Sequence, residues 1–344
     1  MLRTLAVAIA VLTAAAGPAF AAPLVSGAGA TAPAPLYAKW AEAYRRETGV
    51  RINYQSIGSG AGVKQITART VAFGATDKPI KPELRAQLLQ FPTVVLGATP
   101  VVNLPGLQPG RLRLTGAVLA DIYLGRIRRW ADPRLTALNP GLRLPNLPIT
   151  VVHRSDGAGT TFLFTSYLAA KSPDWARQVG ASDAVAWPAG QGGKGNDGVA
   201  AFVRQTPGAV GYVEFAFARV VKLAHVSLQN RDGRFVQPDA RTFAAAAGGA
   251  DWAGSPGFAP SLVDRPGPDS WPLTSATFVL LQRRQEAPAA AQAALRFFDW
   301  AYARGDALAA GLDFVPVPPA VEAAVRAAWA HEVVDRAGRP VYGR

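Results

Sequence analysis

The chain has 344 residues, 49% apolar and 17% charged, which excludes a disordered polymer and provides for large buried cores. A single core stops growing below this length, so two lobes are expected. Thirty-six Lys and Arg against 23 Asp and Glu give a formal charge of +13, but the basic residues are dispersed, with Arg126, Arg128 and Arg129 the densest group, so nucleic acid is not an expected partner, and the lack of cysteine excludes disulfides.

Arg3, the apolar run 5–16, Pro18 and Ala19-Phe20-Ala21 read as a secretory signal peptide over 1–21. The run is short of the roughly 20 residues that span a membrane, so an exported, soluble product is expected. Leu24-Val25 starts a strand, and Gly27-Ala28-Gly29-Ala30-Thr31 is a tight turn into a helix over 33–48. Leu36, Trp40 and Tyr44 share one face of that helix, which Gly49 closes. Residues 51–56 alternate as a strand, and Gly58-Ser59-Gly60 leads into a helix over 63–69, with Ser59 placed as a capping hydroxyl. The strand over 71–76 ends at Asp77 and is stopped by Pro79.

The nearly unbroken apolar run 91–102 is expected as a strand buried on both faces and as the first crossing between lobes. Helices are expected over 119–123 and 126–130, followed by a proline-rich connector over 139–148. A strand over 147–152 then runs into Arg154-Ser155-Asp156-Gly157-Ala158-Gly159-Thr160-Thr161, ahead of a helix over 162–170. A glycine-rich helix start offers unpaired N–H groups and the positive end of the helix dipole, which makes a seat for an anion. Arg154 adds a cation able to pair with two oxyanion oxygens at once. The turns before Thr31 and Ser59 repeat the pattern, and Asp77 is the acceptor among these donors.

Further on, 190–198 opens a helix over 199–204. Lys194 is not a nucleotide-loop lysine, because Gly195 stands where Ser or Thr is required. A strand over 208–214, a hairpin at Asp232-Gly233 and loops over 248–268 lead to a buried strand over 276–282, the second crossing. Helices over 289–304 and 321–333 carry core stripes: Leu295, Phe298 and Tyr302, then Val321, Val325, Trp329 and Val333. His153, His225 and His331 form no cluster with carboxylates at ligand spacing, so neither metal chemistry nor a nucleophile and base pair is supported.

Six stretches, taken in order, look like the motifs of the periplasmic phosphate-binding proteins that serve phosphate ABC importers. They are Gly27 to Thr31, Ile57-Gly58-Ser59-Gly60, Phe73-Gly74-Ala75-Thr76-Asp77, Arg154 to Thr160, Gly192 to Gly198, and Gly208-Ala209-Val210-Gly211-Tyr212-Val213-Glu214. The resemblance implies an α/β fold, a two-lobed type II binding protein with two crossing hinge strands. Lobe I would comprise 22–102 plus 272–344, and lobe II 103–271. It implies inorganic phosphate and the membrane permease subunits of an importer as partners, a periplasmic location, no cofactor, no catalysis and a monomer. Carried over by position, the resemblance implies that Thr31, the N–H of Ala32, Ser59, Asp77, Arg154, the N–H of Gly159 and Thr160 contact phosphate, and that Asp156 holds Arg154 in place.

Two positions depart from the family pattern. Ala32 stands where phenylalanine is common, which leaves the backbone donor intact. Ala158, in the ligand loop, stands where a serine commonly donates to phosphate. One lost hydrogen bond to a charged ligand costs roughly 1.5–3 kcal/mol, about ten-fold or more in affinity. A carboxylate in such a site accepts the proton of hydrogen phosphate and repels sulfate, which has none to offer. Arsenate shares the shape and protonation of phosphate. Capture or sensing of that oxyanion, or hydrolysis of phosphate esters, are the competing readings.

Overall fold

The computed structural model describes residues 24–343, so the signal peptide over 1–21 lies outside the described residues. The first half of the fold is built from β1 (Leu24–Gly29), α1 (Ala34–Thr48), β2 (Arg51–Ser56), α2 (Ser59–Thr67) and β3 (Phe73–Thr76). The long strand β4 (Leu88–Val102) follows and is buried along its whole length. Next come β5 (Arg113–Leu114), α3 (Gly116–Tyr123), α4 (Pro133–Leu138), β6 (Thr150–Arg154), α5 (Gly159–Lys171), α6 (Pro173–Gln178), β7 (Gln191–Gly193), α7 (Gly195–Gln205), β8 (Ala209–Glu214) and α8 (Phe215–Val220). The short β9 (Ala224–His225), β10 (Ser227–Gln229) and β11 (Phe235–Val236) precede α9 (Ala240–Ala247). The chain returns through β12 (Thr274–Gln282) and ends in α10 (Pro288–Arg304), α11 (Asp306–Ala310), β13 (Val315–Pro316) and α12 (Pro319–Glu332).

One curled sheet runs in the order β2-β1-β3-β12-β4-β8-β6-β7. Strands β1, β2 and β3 are parallel on one side, and β6, β7 and β8 are parallel on the other. Strand β4 belongs to both sides. Its residues 88–97 pair with β12, while Ala98 to Val102 pair antiparallel with β8. Helices α7, α8 and α9 and the Phe298 and Trp329 rings of α10 and α12 pack on its faces, and a strand covered on both faces reads as a continuous apolar run.

Helix α1 buries Leu36, Tyr37, Trp40 and Tyr44 on one face. Each such side chain contributes roughly 1.5–3 kcal/mol by leaving water. The face meets α10, where the Phe298 ring packs edge-on against Tyr37, Phe73 and Phe91 at 5.9, 5.0 and 5.8 Å. The C-terminal helices thus pack on the β1 to β3 side.

The structure corrects three local expectations. Residues 126–130 are not a helix: Gly125 turns the chain at φ 71°, and Arg129 bridges to Pro148 as extended backbone. Ile127 and Trp130 are spaced as on a helix but are buried from a loop. Helices α2, α5 and α7 begin at Ser59, Gly159 and Gly195, three or four residues before the expected starts, because their first turns are glycine-rich rather than preceded by glycine. Helix α9 was not anticipated; Asp239 and Thr242 close a reciprocal capping box at its start.

Candidate functional site

The parallel strands of both sides end at the same gap. From β1 the chain passes through Ala30 to Thr31 and Ala32, from β3 to Asp77, and from β6, past Arg154, to the start of α5. The crevice outside the carboxyl ends of parallel strands is where open α/β sheets bind ligands, because helix N-termini converge there.

Asp77 is 2% exposed and tied at three points. Its N–H donates to Ser59 Oγ at 3.3 Å, its carbonyl accepts from Ser275 Oγ at 3.0 Å, and its Oδ1 accepts from Thr277 Oγ1 at 2.6 Å. Its Oδ2 takes no hydrogen bond among the described residues. Burial pushes the carboxyl up to about 6, against the opposing pull of the Thr277 hydroxyl and the Arg154 charge.

Arg154, 3% exposed, reaches Asp156 through a two-pronged pair, Nε to Oδ1 at 2.8 Å and Nη2 to Oδ2 at 2.5 Å. Its remaining nitrogen, Nη1, is buried and has no partner among the described residues. A buried guanidinium donor left unpaired is costly, so this atom is suited to an acceptor that a ligand would bring. Burial works against ionisation of Asp156, but the Arg154 guanidinium and the Gly195 N–H, 3.0 Å from Oδ1, hold its carboxyl below the usual range.

Ser59 is not a capping residue. Gly58, at φ 93°, takes the capping position, and Ser59 Oγ accepts from Asp77 and, at 3.2 Å, from the N–H of Gly159 across the gap. With two donors on its oxygen, the Ser59 hydroxyl keeps its own proton to give away. Thr31 Oγ1 is placed the same way, accepting from Asn196 Nδ2 at 2.9 Å. The N–H groups of Thr31, Ala32, Thr160 and Thr161 have no acceptor among the described residues, nor has the Thr160 hydroxyl. Gly159 directs its N–H at Ser59, while Ala158, 1% exposed, spends its own on the Asp183 carbonyl at 2.9 Å. The residues that the resemblance places around the ligand, Ala158 included, are all buried, but two differ from expectation: the Gly159 amide expected to meet phosphate is spent on Ser59, and Ala158 brings neither a hydroxyl nor a free amide.

The two sides are in contact. Besides Ser59 with Gly159 and Thr31 with Asn196, Gly60 donates to the Gly157 carbonyl at 2.9 Å, and Lys78 pairs with Asp183 at 2.7 Å. Glycine is needed where the walls touch: a Cβ on Gly159 would lie 2.6 Å from Asp77 Cβ, and one on Gly58 would lie 2.4 Å from Asp156 Oδ2. Sequence reasoning missed Thr277, Asn196 and Lys78. Asn196 lies in the 192–198 stretch that was quoted as a motif without a role; nothing local marks Thr277, which meets Asp77 across 200 positions.

Among the described residues no helix is long and apolar enough to cross a membrane, and no three His, Asp or Glu are placed to hold a metal ion. His153 stacks on Trp187 with ring centroids 4.8 Å apart, while Arg154, next on the strand, is turned to Asp156.

Residues 14–304 match the model of the PBP superfamily domain. The chain is 52% identical to the phosphate-binding protein PstS of Haemophilus influenzae, over 90% of this chain and 93% of that one. It is 47% identical to the protein of the same name from Xylella fastidiosa strain 9a5c, over 90% and 85%. Among solved structures, the fold resembles the periplasmic phosphate-binding protein PfluDING bound with phosphate, with a TM-score of 0.72 at 21% identity over 93% of this chain and 99% of that one. A human phosphate binding apolipoprotein gives 0.73 at 20% identity, with the same coverage. These matches run through every strand that ends at the gap, and the chain belongs to the PstS family within the PBP superfamily.

Proposed function

We propose that this chain is the exported, periplasmic binding component of a phosphate ABC importer, that it captures hydrogen phosphate in the gap between its lobes, and that it catalyses no reaction. The lobes are 22–102 plus 272–344 and 103–271. The observation that carries the reading is Arg154 Nη1, buried and without an acceptor among the described residues while its sister nitrogens are fixed on Asp156.

Around that nitrogen the donors are neutral. Thr31 and Ser59 give hydroxyl protons, freed by the donors already on their oxygens, and Ala32 and Thr160 give N–H groups from chain turns and the α5 start. Fixed dipoles of this kind stabilise an anion without the desolvation cost of further charges. Asp77 Oδ2 takes the ligand's proton, which sulfate lacks. In the closed form Gly159 completes the wall and supports Ser59 through its N–H. Because the donors come from both sides, only the closed form satisfies the ligand, so binding favours closure, and permease subunits can tell loaded from empty protein.

Isothermal titration of ligand-stripped protein with phosphate, arsenate and sulfate tests this. Phosphate should bind saturably at one site, with sulfate at least about a hundred-fold weaker, as expected when a buried acceptor faces an acceptor. Saturable heat from sulfate and none from phosphate would overturn the reading. Turnover of a chromogenic phosphate ester would overturn the claim that the chain is not an enzyme.

A further inference from the structure

We infer that Thr277 is a specificity-determining residue: its hydroxyl, donated to Asp77 Oδ1, keeps Asp77 a pure acceptor and leaves Oδ2 as the one oxygen that inspects the ligand for a proton. This rests on the phosphate-binding reading.

Thr277 is fully buried in β12, where the register with its neighbours shifts between Thr277 and Phe278. The strand does not need its hydroxyl. The backbone there is held separately, since the Thr277 carbonyl accepts from Thr93 Oγ1 at 3.2 Å, and Thr93 is in turn bonded to the Tyr37 hydroxyl at 3.0 Å. At a buried strand position valine has the same shape and no polar group to desolvate. The hydroxyl makes one hydrogen bond, and that bond goes to Asp77 at 2.6 Å.

Its consequence follows from the surroundings of Asp77. The charged and titratable groups that face it are Arg154 at the end of β6, Glu214 at the end of β8, Tyr37 on α1 and Tyr54 on β2. Among these only Arg154 favours the ionised carboxylate, and its charge is shared with Asp156. Burial has already brought the carboxyl up to about 6, close beneath neutrality. A hydrogen bond donated to the charged form opposes that shift. Without it Asp77 would carry a proton over much of the neutral range, present a donor to the gap, and cease to repel sulfate.

The test compares the unmodified chain with Thr277→Val and Thr277→Ser. The Asp77 carboxyl is followed by carbon-13 NMR in ligand-free protein, and phosphate and sulfate are titrated calorimetrically between about pH 5.5 and 8.5, the range that brackets a carboxyl near 6. Expected in Thr277→Val is a carboxyl midpoint about one pH unit higher, with the loss of phosphate-over-sulfate preference moved up by the same interval; Thr277→Ser should restore both. An unchanged midpoint in Thr277→Val that still binds phosphate overturns the role of Thr277 alone. Failure of the unmodified chain to bind phosphate overturns the function itself, and this selectivity role with it.

Discussion

The backbone N–H of Gly159 donates to the hydroxyl oxygen of Ser59 at 3.2 Å, joining residues 100 positions apart on opposite sides of the gap. The same oxygen accepts from Asp77, so a single side chain couples the acceptor on one wall to the helix start on the other. Closure and ligand recognition are therefore carried by the same atoms.

Gly159→Ala separates the two. A Cβ there would stand 2.6 Å from Asp77 Cβ and 2.7 Å from its carbonyl carbon, and backbone cannot yield as a flexible side chain can. Opening the gap relieves the clash, and alanine is the better helix former. The ligand-free variant should thus melt close to the parent, while phosphate affinity falls by about ten-fold or more through loss of wall contacts. X-ray scattering should show no contraction on adding phosphate.

Arg154 variants should differ in kind. Arg154→Ala leaves the Asp156 carboxylate, 15% exposed at its side chain, without its two-pronged partner, and removes the unpaired Nη1 donor. Nη1 carries two N–H groups, and losing two charge-assisted bonds from it at roughly 1.5–3 kcal/mol each predicts affinity at least a hundred-fold weaker in titration calorimetry. Arg154→Lys restores the charge but not the fork, so it should recover only part of that loss. An exposed control such as Arg177→Ala should leave phosphate affinity where it was.

How much of this was legible in the chain follows from how local each signal is. Helix α1 and strand β4 were readable because apolar spacing is a property of consecutive residues; Arg154 and Thr160 flank the Gly157 and Gly159 of a helix start, and Asp77 stands at the end of a short strand that Pro79 stops. The misplaced starts of α2, α5 and α7 share one cause: glycine reads as a turn by propensity, yet here it occupies first helical turns so that two walls can touch. Lys78 with Asp183, Asn196 with Thr31 and Thr277 with Asp77 were not legible, since each pairs residues from remote stretches of the chain. The capping box of Asp239 and Thr242 at the start of α9 is a local feature, formed by residues three apart.

Ala158→Ser tests the departure from the family pattern. Ala158 occupies the capping position of α5 with extended backbone at φ −130° and ψ 132°, and its side chain makes no cap bond. A serine hydroxyl has two uses there. Turned onto the helix it caps α5 and raises ligand-free stability by about 1 kcal/mol; turned into the gap it gives phosphate another donor, tightening binding by about ten-fold or more. The gap has the stronger claim, because a bond to a charged ligand outweighs a cap. Calorimetry should therefore show tighter phosphate binding, with the larger rise in melting temperature in the presence of phosphate. A gain confined to the ligand-free protein would assign the hydroxyl to the helix.

Asp77 also leaves a signature in stability against pH. Its folded-state carboxyl lies at about 6 against an ordinary 3.8, so it is raised, and the folded protein holds this proton more tightly than the unfolded chain does. As pH rises from about 4 to 6 the unfolded chain ionises first, and stability falls until both states are charged. The displacement corresponds to about 3 kcal/mol of cost, absent at low pH and fully present above pH 6. Buried Glu214, also raised by burial, adds a slope of the same sign. Asp156 and Asp183, held low by Arg154 and Lys78, contribute the opposite slope as pH falls. The difference between parent and Asp77→Asn isolates the one carboxyl. In urea unfolding of ligand-stripped protein, the asparagine variant should gain on the parent between pH 4 and 6 and remain more stable at pH 7, while its phosphate-over-sulfate preference shrinks. Parallel stability curves for the two proteins across that range would mean that Asp77 is not held above its ordinary range, and the proton check would then need another acceptor.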